Sequence, residues 1–176
     1  DPDRVQTSRR GTLTTAACGV CGRVTIDDLL ERVGAMEAGE GFAVDMLQRC
    51  TERLRAEQAN FARTGGVHAA AVLSRDGEIL ALAEDVGRHN AVDKVVGALL
   101  REGALDRARI LVVSGRVSFE ITQKAAVARI PVVAAVSAPT SLAVDVARRV
   151  GLTLCGFVRD GRLNVYSHPE RLEGVD

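Results

Sequence analysis

From residue 110 to residue 157 the sequence alternates short, almost unbroken apolar runs with amphipathic stretches of roughly ten residues. The runs at 110–113, 131–136 and 152–157 have hardly a polar residue to leave in water on either face. Such strands must be covered on both sides, the condition of a parallel sheet with crossover helices. The intervening segments 119–128 and 141–150 read as helices, the second placing Leu142, Val146 and Val150 on one side.

The upstream half has a different pattern. Segments 67–73 and 79–83 read as strands joined at Asp76-Gly77, a hairpin signal. Asn90 is expected to cap the following helix, with Asp93 three residues later imitating a capping box. Val92, Val95, Val96, Leu99 and Leu100 form that helix's expected apolar face. Residues 26–33 read as a short helix and 42–61 as one longer helix, with Val44, Leu47, Leu54 and Phe61 near one face. A last strand at 163–166 follows a turn at Asp160-Gly161. The expected architecture is α/β: a mostly parallel sheet with helices on both faces and antiparallel edge strands. Hydrophobic residues make up 47% of the 176, but aromatics only 3% and Trp none. The core must then be built from Ala, Val, Leu and Ile. Residues 1–25 are expected to be a flexible segment carrying a Cys-x-x-Cys loop, 26–62 a helical segment, and 63–176 the α/β domain.

The formal charge is zero, which argues against a general nucleic-acid or membrane binder. No apolar run approaches the roughly 18 residues of a membrane span, and residues 1–10 lack the apolar core of a signal peptide. The chain begins with Asp rather than Met and is expected to be a fragment. Its four unevenly spaced cysteines do not form a disulfide framework, so the cytosol is the expected compartment.

Three loci could carry chemistry. Cys18 and Cys21, in Cys18-Gly19-Val20-Cys21-Gly22, suit half a zinc site, disulfide exchange, persulfide relay or a structural loop. Cys50 and Cys155 bring no second ligand beside them, so a four-ligand zinc site is not evident. Arg4, Arg9, Arg10 and Arg23 surround the pair with no carboxylate between Arg4 and Ile26, a setting that favours thiolate. A solvated tail with scattered arginines has the same composition. The second locus is the pair of strand ends Ser114-Gly115-Arg116 and Ser137-Ala138-Pro139-Thr140-Ser141. Such ends gather on one sheet edge, where helix N-termini receive phosphate, although Ser and Thr there also serve as ordinary caps. The third is Thr64-Gly65-Gly66-Val67-His68 with His89 among Glu84, Asp85, Arg88, Asp93 and Lys94. These groups could orient a polar ligand or bind one another as an ion network.

Taken together, the segments resemble the formate dehydrogenase accessory sulfurtransferase (FdhD) family. The Cys18–Gly22 loop is followed by Gln58, Phe61, and Thr64-Gly65-Gly66-Val67-His68-Ala69-Ala70. The resemblance continues through Glu84-Asp85-Val86-Gly87-Arg88-His89-Asn90-Ala91-Val92-Asp93-Lys94, Ser114-Gly115-Arg116-Val117-Ser118-Phe119-Glu120, and Gln123-Lys124-Ala125-Ala126. It closes with Ala134-Ala135-Val136-Ser137-Ala138-Pro139-Thr140-Ser141-Leu142-Ala143, Gly156-Phe157 and Asn164-Val165-Tyr166. A lone Cys-x-x-Cys is weak, but this ordered set is specific. Family members usually carry a further segment ahead of the loop, which the chain is expected to lack.

The resemblance implies a cytidine deaminase-like three-layer sandwich and a homodimer. It implies a sulfurtransferase that takes sulfane sulfur from a cysteine desulfurase and passes it to the molybdenum cofactor of formate dehydrogenase. That cofactor, bis(molybdopterin guanine dinucleotide), is substrate rather than resident group, and a guanine nucleotide would mimic it. Cys18 is implied as persulfide carrier and Cys21 as its relay partner. The stretch Phe157, Val158, Arg159, Asp160, Gly161 and Arg162 is implied as the guanine-nucleotide contact, helped by Arg116, Ser137 and Thr140. Ser114, Gly115 and His89 complete the expected cofactor-binding set. The deaminase zinc signature is missing, because His68 is followed by Ala69-Ala70 and no Pro-Cys-x-x-Cys occurs. Neither deamination nor a catalytic zinc is expected. The alternatives are a non-catalytic cofactor chaperone and a thiol-disulfide oxidoreductase. The latter is disfavoured because the Cys-x-x-Cys does not open a helix directly after a strand.

Overall fold

A computed structural model of the chain describes residues 26–37, 39 and 41–174. Among the described residues six α-helices and eight strands follow in chain order. They are α1 (Ile26–Val33), β1 (Phe42–Ala43), α2 (Val44–Ala56), α3 (Ala59–Thr64), β2 (His68–Leu73), β3 (Ile79–Asp85) and α4 (Arg88–Glu102). The second half holds β4 (Ile110–Val113), α5 (Phe119–Val127), β5 (Val132–Ala135), α6 (Ser141–Val150), β6 (Thr153–Arg159), β7 (Arg162–Ser167) and β8 (Leu172–Glu173).

The main sheet has the order β3-β2-β4-β5-β6-β7. Its centre, β4-β5-β6, is parallel. β2 runs antiparallel to both β3 and β4, and β7 runs antiparallel to β6. The sheet is therefore mixed: four strands point one way and the other two oppose them. Because β4, β5 and β6 follow one another across the sheet, the two right-handed crossovers place α5 and α6 on the same face. α4 joins them there, as does Leu29 of α1. The opposite face is covered by α2 through Leu47, Cys50 and Leu54.

The sheet residues divide between these layers with period two. Ala70, Val72, Leu111, Val113, Val133 and Ala135 face the α4–α5–α6 layer, while Ala71, Leu73, Ile110, Val112, Val132 and Ala134 face α2. Small Ala residues let the helices approach closely, which is how a core with so few rings is packed. A separate two-stranded pairing joins β1 to β8 and so binds the start of α2 to the chain's end.

The strand boundaries read from the sequence lie within two residues of those observed. The helix over 42–61 does not persist. It begins after β1, stops at Glu57-Gln58 and restarts as α3, because buried Gln58 (8% exposed) turns the chain inward. Phe61 is consequently 46% exposed rather than on the buried face. Asn90 does not cap α4. The helix starts two residues earlier, after Gly87, and the Asn90 side chain donates back to Asp85 Oδ1 at 3.1 Å. Leu100 and Leu142 also fall outside their helices' buried faces.

Candidate functional site

The topology brings five chain segments to one sheet edge. β3, β4, β5 and β6 all end there, and β2, running the opposite way, begins there with His68. α4, α5 and α6 start from this edge. In an open α/β sheet this is where ligands bind.

Each loop is pinned. Ser114 Oγ accepts the Ala69 N–H at 2.9 Å, and the Ser114 N–H donates to the Ala69 carbonyl, so the hydroxyl ends the β2–β4 ladder. The loops after β4 and β5 are tied by a parallel bridge from Val117 to Pro139, with Val117 N–H on the Ala138 carbonyl and Thr140 N–H on the Val117 carbonyl. Thr140 Oγ1 accepts the Ala143 N–H at 3.2 Å and caps α6. That is the ordinary capping role, and it occupies one lone pair of the hydroxyl. Ser137 contributes its carbonyl to the Phe157 N–H, and Arg116 is exposed.

The end of β6 departs from regular geometry. Leu154 faces the α4–α5–α6 layer and Cys155 the α2 layer, yet Val158 also faces the α2 layer. Strict alternation would send Val158 the other way. The register shift between Gly156 and Arg159 resolves this, with Phe157 at φ 54°. A left-handed Phe is an outlier for a bulky residue and belongs with a local constraint. It places the ring beneath the Arg159 guanidinium, 5.9 Å from the ring centre. Asp160 and Gly161, both at positive φ, make the turn, and Arg159 and Arg162 pair across it. The hairpin tip therefore presents two exposed arginines beside an aromatic ring. Val158, fully buried, has only its backbone left for a ligand. Gly156 fits only as Gly, since a Cβ there would lie 2.9 Å from Pro139 and 3.0 Å from the Tyr166 ring.

The far side of the same edge holds a polar cluster. His89 Nε2 lies 2.9 Å from Ser118 Oγ and 3.8 Å from Glu120 Oε2. Burial and the Arg88 charge push the His89 pKa down, which favours the neutral ring. Burial opposes the Glu120 charge, but hydrogen bonds from Ser118 and its own backbone, with His89 and Arg88 nearby, carry its pKa below the usual range. His68 and Arg88 lean over Gly115, where an added Cβ would lie 3.2 Å from His68 Nδ1 and 3.5 Å from Arg88 Cδ.

Other charged groups of this region hold one another. Glu84 accepts the Asn60 and Phe61 N–H groups at 2.9 Å each and so caps α3. Asp85 binds Lys94 at 2.6 Å and the Gly87 N–H at 2.9 Å, which with Asn90 lower its pKa to about 2. Asp93 binds Lys124 at 2.5 Å. These form the ion network; His68, Arg88, His89 and Glu120 are the members left facing the edge.

Of the expected site residues, Ser114, Gly115, Arg116, Ser137, Thr140, Phe157, Val158, Arg159, Asp160, Gly161, Arg162 and His89 all sit along this edge or its hairpin. Cys18 and Cys21 lie outside the described residues. Ser118 and Glu120 were legible only as part of a family run; the sign available was a Ser at an N-cap whose helix carries Glu in its first turn. Among the described residues no group of three His, Cys, Asp or Glu side chains could hold a metal ion, and no helix is long and apolar enough to cross a membrane. Cys50 and Cys155 are buried and unpaired, and burial pushes the Cys155 thiol up to about 12.

The family model described as FdhD/NarQ matches residues 1–173. The chain is 56% identical over 98% of its length to "Sulfur carrier protein FdhD" of Anaeromyxobacter sp. strain K, and 50% identical over 94% to the protein of that name from Nocardia farcinica. It spans only 62% and 61% of those relatives' lengths. A crystal structure from Desulfotalea psychrophila, described as a formate dehydrogenase accessory protein, superposes with a TM-score of 0.73 at 29% identity. That match covers 83% of this chain and 62% of the other. Agreement over nearly the whole length, in sequence and in fold, establishes that the chain belongs to the FdhD/NarQ family.

Proposed function

We propose that the chain is a sulfurtransferase that relays persulfide sulfur from a cysteine desulfurase to a molybdenum cofactor, bis(molybdopterin guanine dinucleotide), in the maturation of formate dehydrogenase. The observation that carries this reading is a family match that includes the Cys18–Cys21 loop, among relatives named sulfur carriers. The Cys18 thiolate attacks the outer sulfur of the donor's persulfide. One S–S bond forms at Cys18, the donor's S–S bond breaks, and the donor departs as thiolate with no net redox change. Cys21 accepts the sulfur in turn or helps release it.

The cofactor is substrate here. Its nucleotide would lie against Phe157 and the Arg159–Arg162 tip, with Arg116, Ser137 and Thr140 alongside. Two exposed guanidiniums and an aromatic face are a chemical match for diphosphate and a base. His89, Ser114 and Gly115 would line the inner part of the edge. These groups position rather than react. A hairpin feeding three parallel strands under one helical layer, with α2 on the other face, supports the deaminase-like three-layer sandwich implied by the resemblance. The same resemblance leads us to propose a homodimer acting in the cytoplasm.

The test is mass spectrometry after incubation with desulfurase and cysteine. Wild type is expected to gain one sulfur atom on Cys18 and the Cys18→Ala variant none. Normal sulfuration by that variant would contradict the assignment.

A further inference from the structure

A cavity of about 210 Å³ opens at the end of the sheet opposite to the candidate site, where β4 and β5 begin. Arg109, Arg129 and Arg171 line it together with Phe42, Met36 and Pro131. The first two stem from neighbouring strand starts, since the Val132 N–H donates to the Arg109 carbonyl at 3.3 Å. Neutral acceptors hold all three guanidiniums. Arg109 donates to the Ala108 carbonyl at 2.9 Å, Arg129 to the Val33 carbonyl at 2.6 Å, and Arg171 to three carbonyls and the Thr153 hydroxyl. Among the described residues no carboxylate forms an ion pair with them, whereas Arg49, Arg107 and Arg149 each have one. A carbonyl orients a guanidinium without cancelling its charge. The chain as a whole balances 23 basic against 23 acidic residues, so this is a local surplus. A fourth arginine, Arg75, and one carboxylate, Glu37, also reach the cavity. Glu170 faces the Arg171 charge, but its carboxylate is held by His168.

The backbone of Arg129 is a second, independent sign. α3, α4 and α6 end on Gly65, Gly103 and Gly151 at φ 64°, 65° and 73°. α5 ends the same way with Arg129 at φ 59°. Its N–H donates to the Ala126 carbonyl and that of Ile130 to the Ala125 carbonyl, the spacing that Gly103 and Ala104 repeat at the end of α4. This left-handed position suits Gly and strains a residue with a Cβ. A strained arginine where glycine would serve marks a demand on the side chain.

We propose that this cavity binds a small organic anion carrying two negative charges on an apolar body. Its oxyanion groups meet Arg109 and Arg129, and its body lies against Phe42, Met36 and Pro131. Buried Arg171 adds positive field from below without having to touch the ligand. The apolar floor sets such a molecule apart from a bare ion, and the paired guanidiniums set it apart from a monoanion. Guanidinium forks accept carboxylate and phosphate alike, so the charged group is an oxyanion of either kind. The site is separate from the sulfur-transfer reading, because it lies at the far end of the strands from the Phe157 hairpin.

The experiment is titration of the ¹⁵N-labelled chain at about 0.15 M salt, where loose surface attraction is screened. The probes are phthalate, phenyl phosphate, benzoate and inorganic phosphate. Phthalate and phenyl phosphate join a ring to two charges; benzoate has the ring with one charge, and inorganic phosphate has charge without a ring. At least one of the first two is expected to shift the amides of Phe42, Arg109, Arg129 and Val132. Its affinity should exceed that of benzoate and of inorganic phosphate by about tenfold or more, the effect of one hydrogen bond to a charged group. The tighter of the two identifies the oxyanion as carboxylate or phosphate. Arg129→Gly keeps the left-handed turn and relieves its strain, so it removes the guanidinium without disturbing the chain path. That variant and Arg109→Gln should each weaken binding by about tenfold, with amides far from the cavity unmoved. Equal binding of all four probes, shifts confined to residues 157–162, binding that survives both substitutions, or no shift at all would overturn the proposal.

Discussion

Two arginines at opposite ends of the sheet are held in different ways: Arg171 is ringed by acceptors and Arg88 is not. Arg171, 1% exposed, lies under the end opposite to the candidate site. Its Nη1 donates to the Gly151 carbonyl at 2.6 Å and Thr153 Oγ1 at 3.2 Å, and its Nη2 to the carbonyls of Met36 and Glu37. Those acceptors come from two chain segments, so the guanidinium clamps the α1–β1 connection and the start of β6 to its own segment near β8. Arg88 is half-buried, and its Nε, like that of Arg171, is shielded from water without a hydrogen-bond partner. The Arg171 guanidinium fixes chain through four acceptors, whereas that of Arg88 makes no hydrogen bond within the described fold. The contrast predicts different consequences of mutation at the two ends.

The largest effect is expected at the clamp's backbone. Gly151 has φ 73°, and a Cβ on it would lie 2.3 Å from the Met36 carbonyl oxygen. Both atoms belong to main chain and cannot rotate aside. Gly151→Ala should cost about 3 kcal/mol or more in urea unfolding. Gly115→Ala at the other end meets the His68 ring at 3.2 Å, and a side chain can yield. Its cost should stay below about 1 kcal/mol, with ligand binding lost instead. Equal destabilisation by the two would remove the distinction.

Replacing the arginines themselves sharpens the comparison. Arg171→Met removes the donor from the buried carbonyls of Gly151 and Met36 and should cost about 2–3 kcal/mol, because relief of the buried charge offsets part of the loss. Arg88→Met breaks no hydrogen bond of the described fold and should change stability by about 0.5 kcal/mol or less. Chemical denaturation of the two variants side by side separates an arginine that clamps the fold from one that does not.

How much of this was legible in the sequence follows the same division. The unbroken apolar runs at Ile110–Val113 and Val132–Ala135 and the hairpin at Asp76-Gly77 revealed the sheet, because burial on both faces leaves a compositional trace. The strand ends Ser114–Arg116 and Ser137–Thr140 were found by the same logic. What escaped depended on contacts distant in sequence. The break at Gln58 depends on burial that helical periodicity does not encode. The early start of α4 depends on the Asp85 contacts to Gly87 and Asn90. The role of Arg171 is set by carbonyls up to 135 residues away. Glu120 stood only within a run shared with the family, and its setting beside His89 and Ser118 is given by the fold.

The smallest predicted effect is on acid stability. Glu84, Asp85 and Glu120, all at the site edge, have lowered pKa values, and near the clamp Glu170 does too, through hydrogen bonds from its own backbone and His168. A carboxyl whose folded pKa is depressed contributes stability that is present above its unfolded value near 4 and lost as pH falls through the folded value. For Asp85 that window runs from about 4 down to about 2. Protonation there releases Lys94, the Gly87 N–H and Asn90, which together hold the start of α4. Amide exchange followed from pH 5 to pH 2 should therefore show the first turn of α4 losing more protection than residues 168–173. Asp85→Asn should remove the Asp85 part of that pH dependence while leaving the clamp's protection unchanged. A larger loss at 168–173 would mean that the acid-sensitive end of the molecule is the clamp, and that the ion network beside the site adds little to its order.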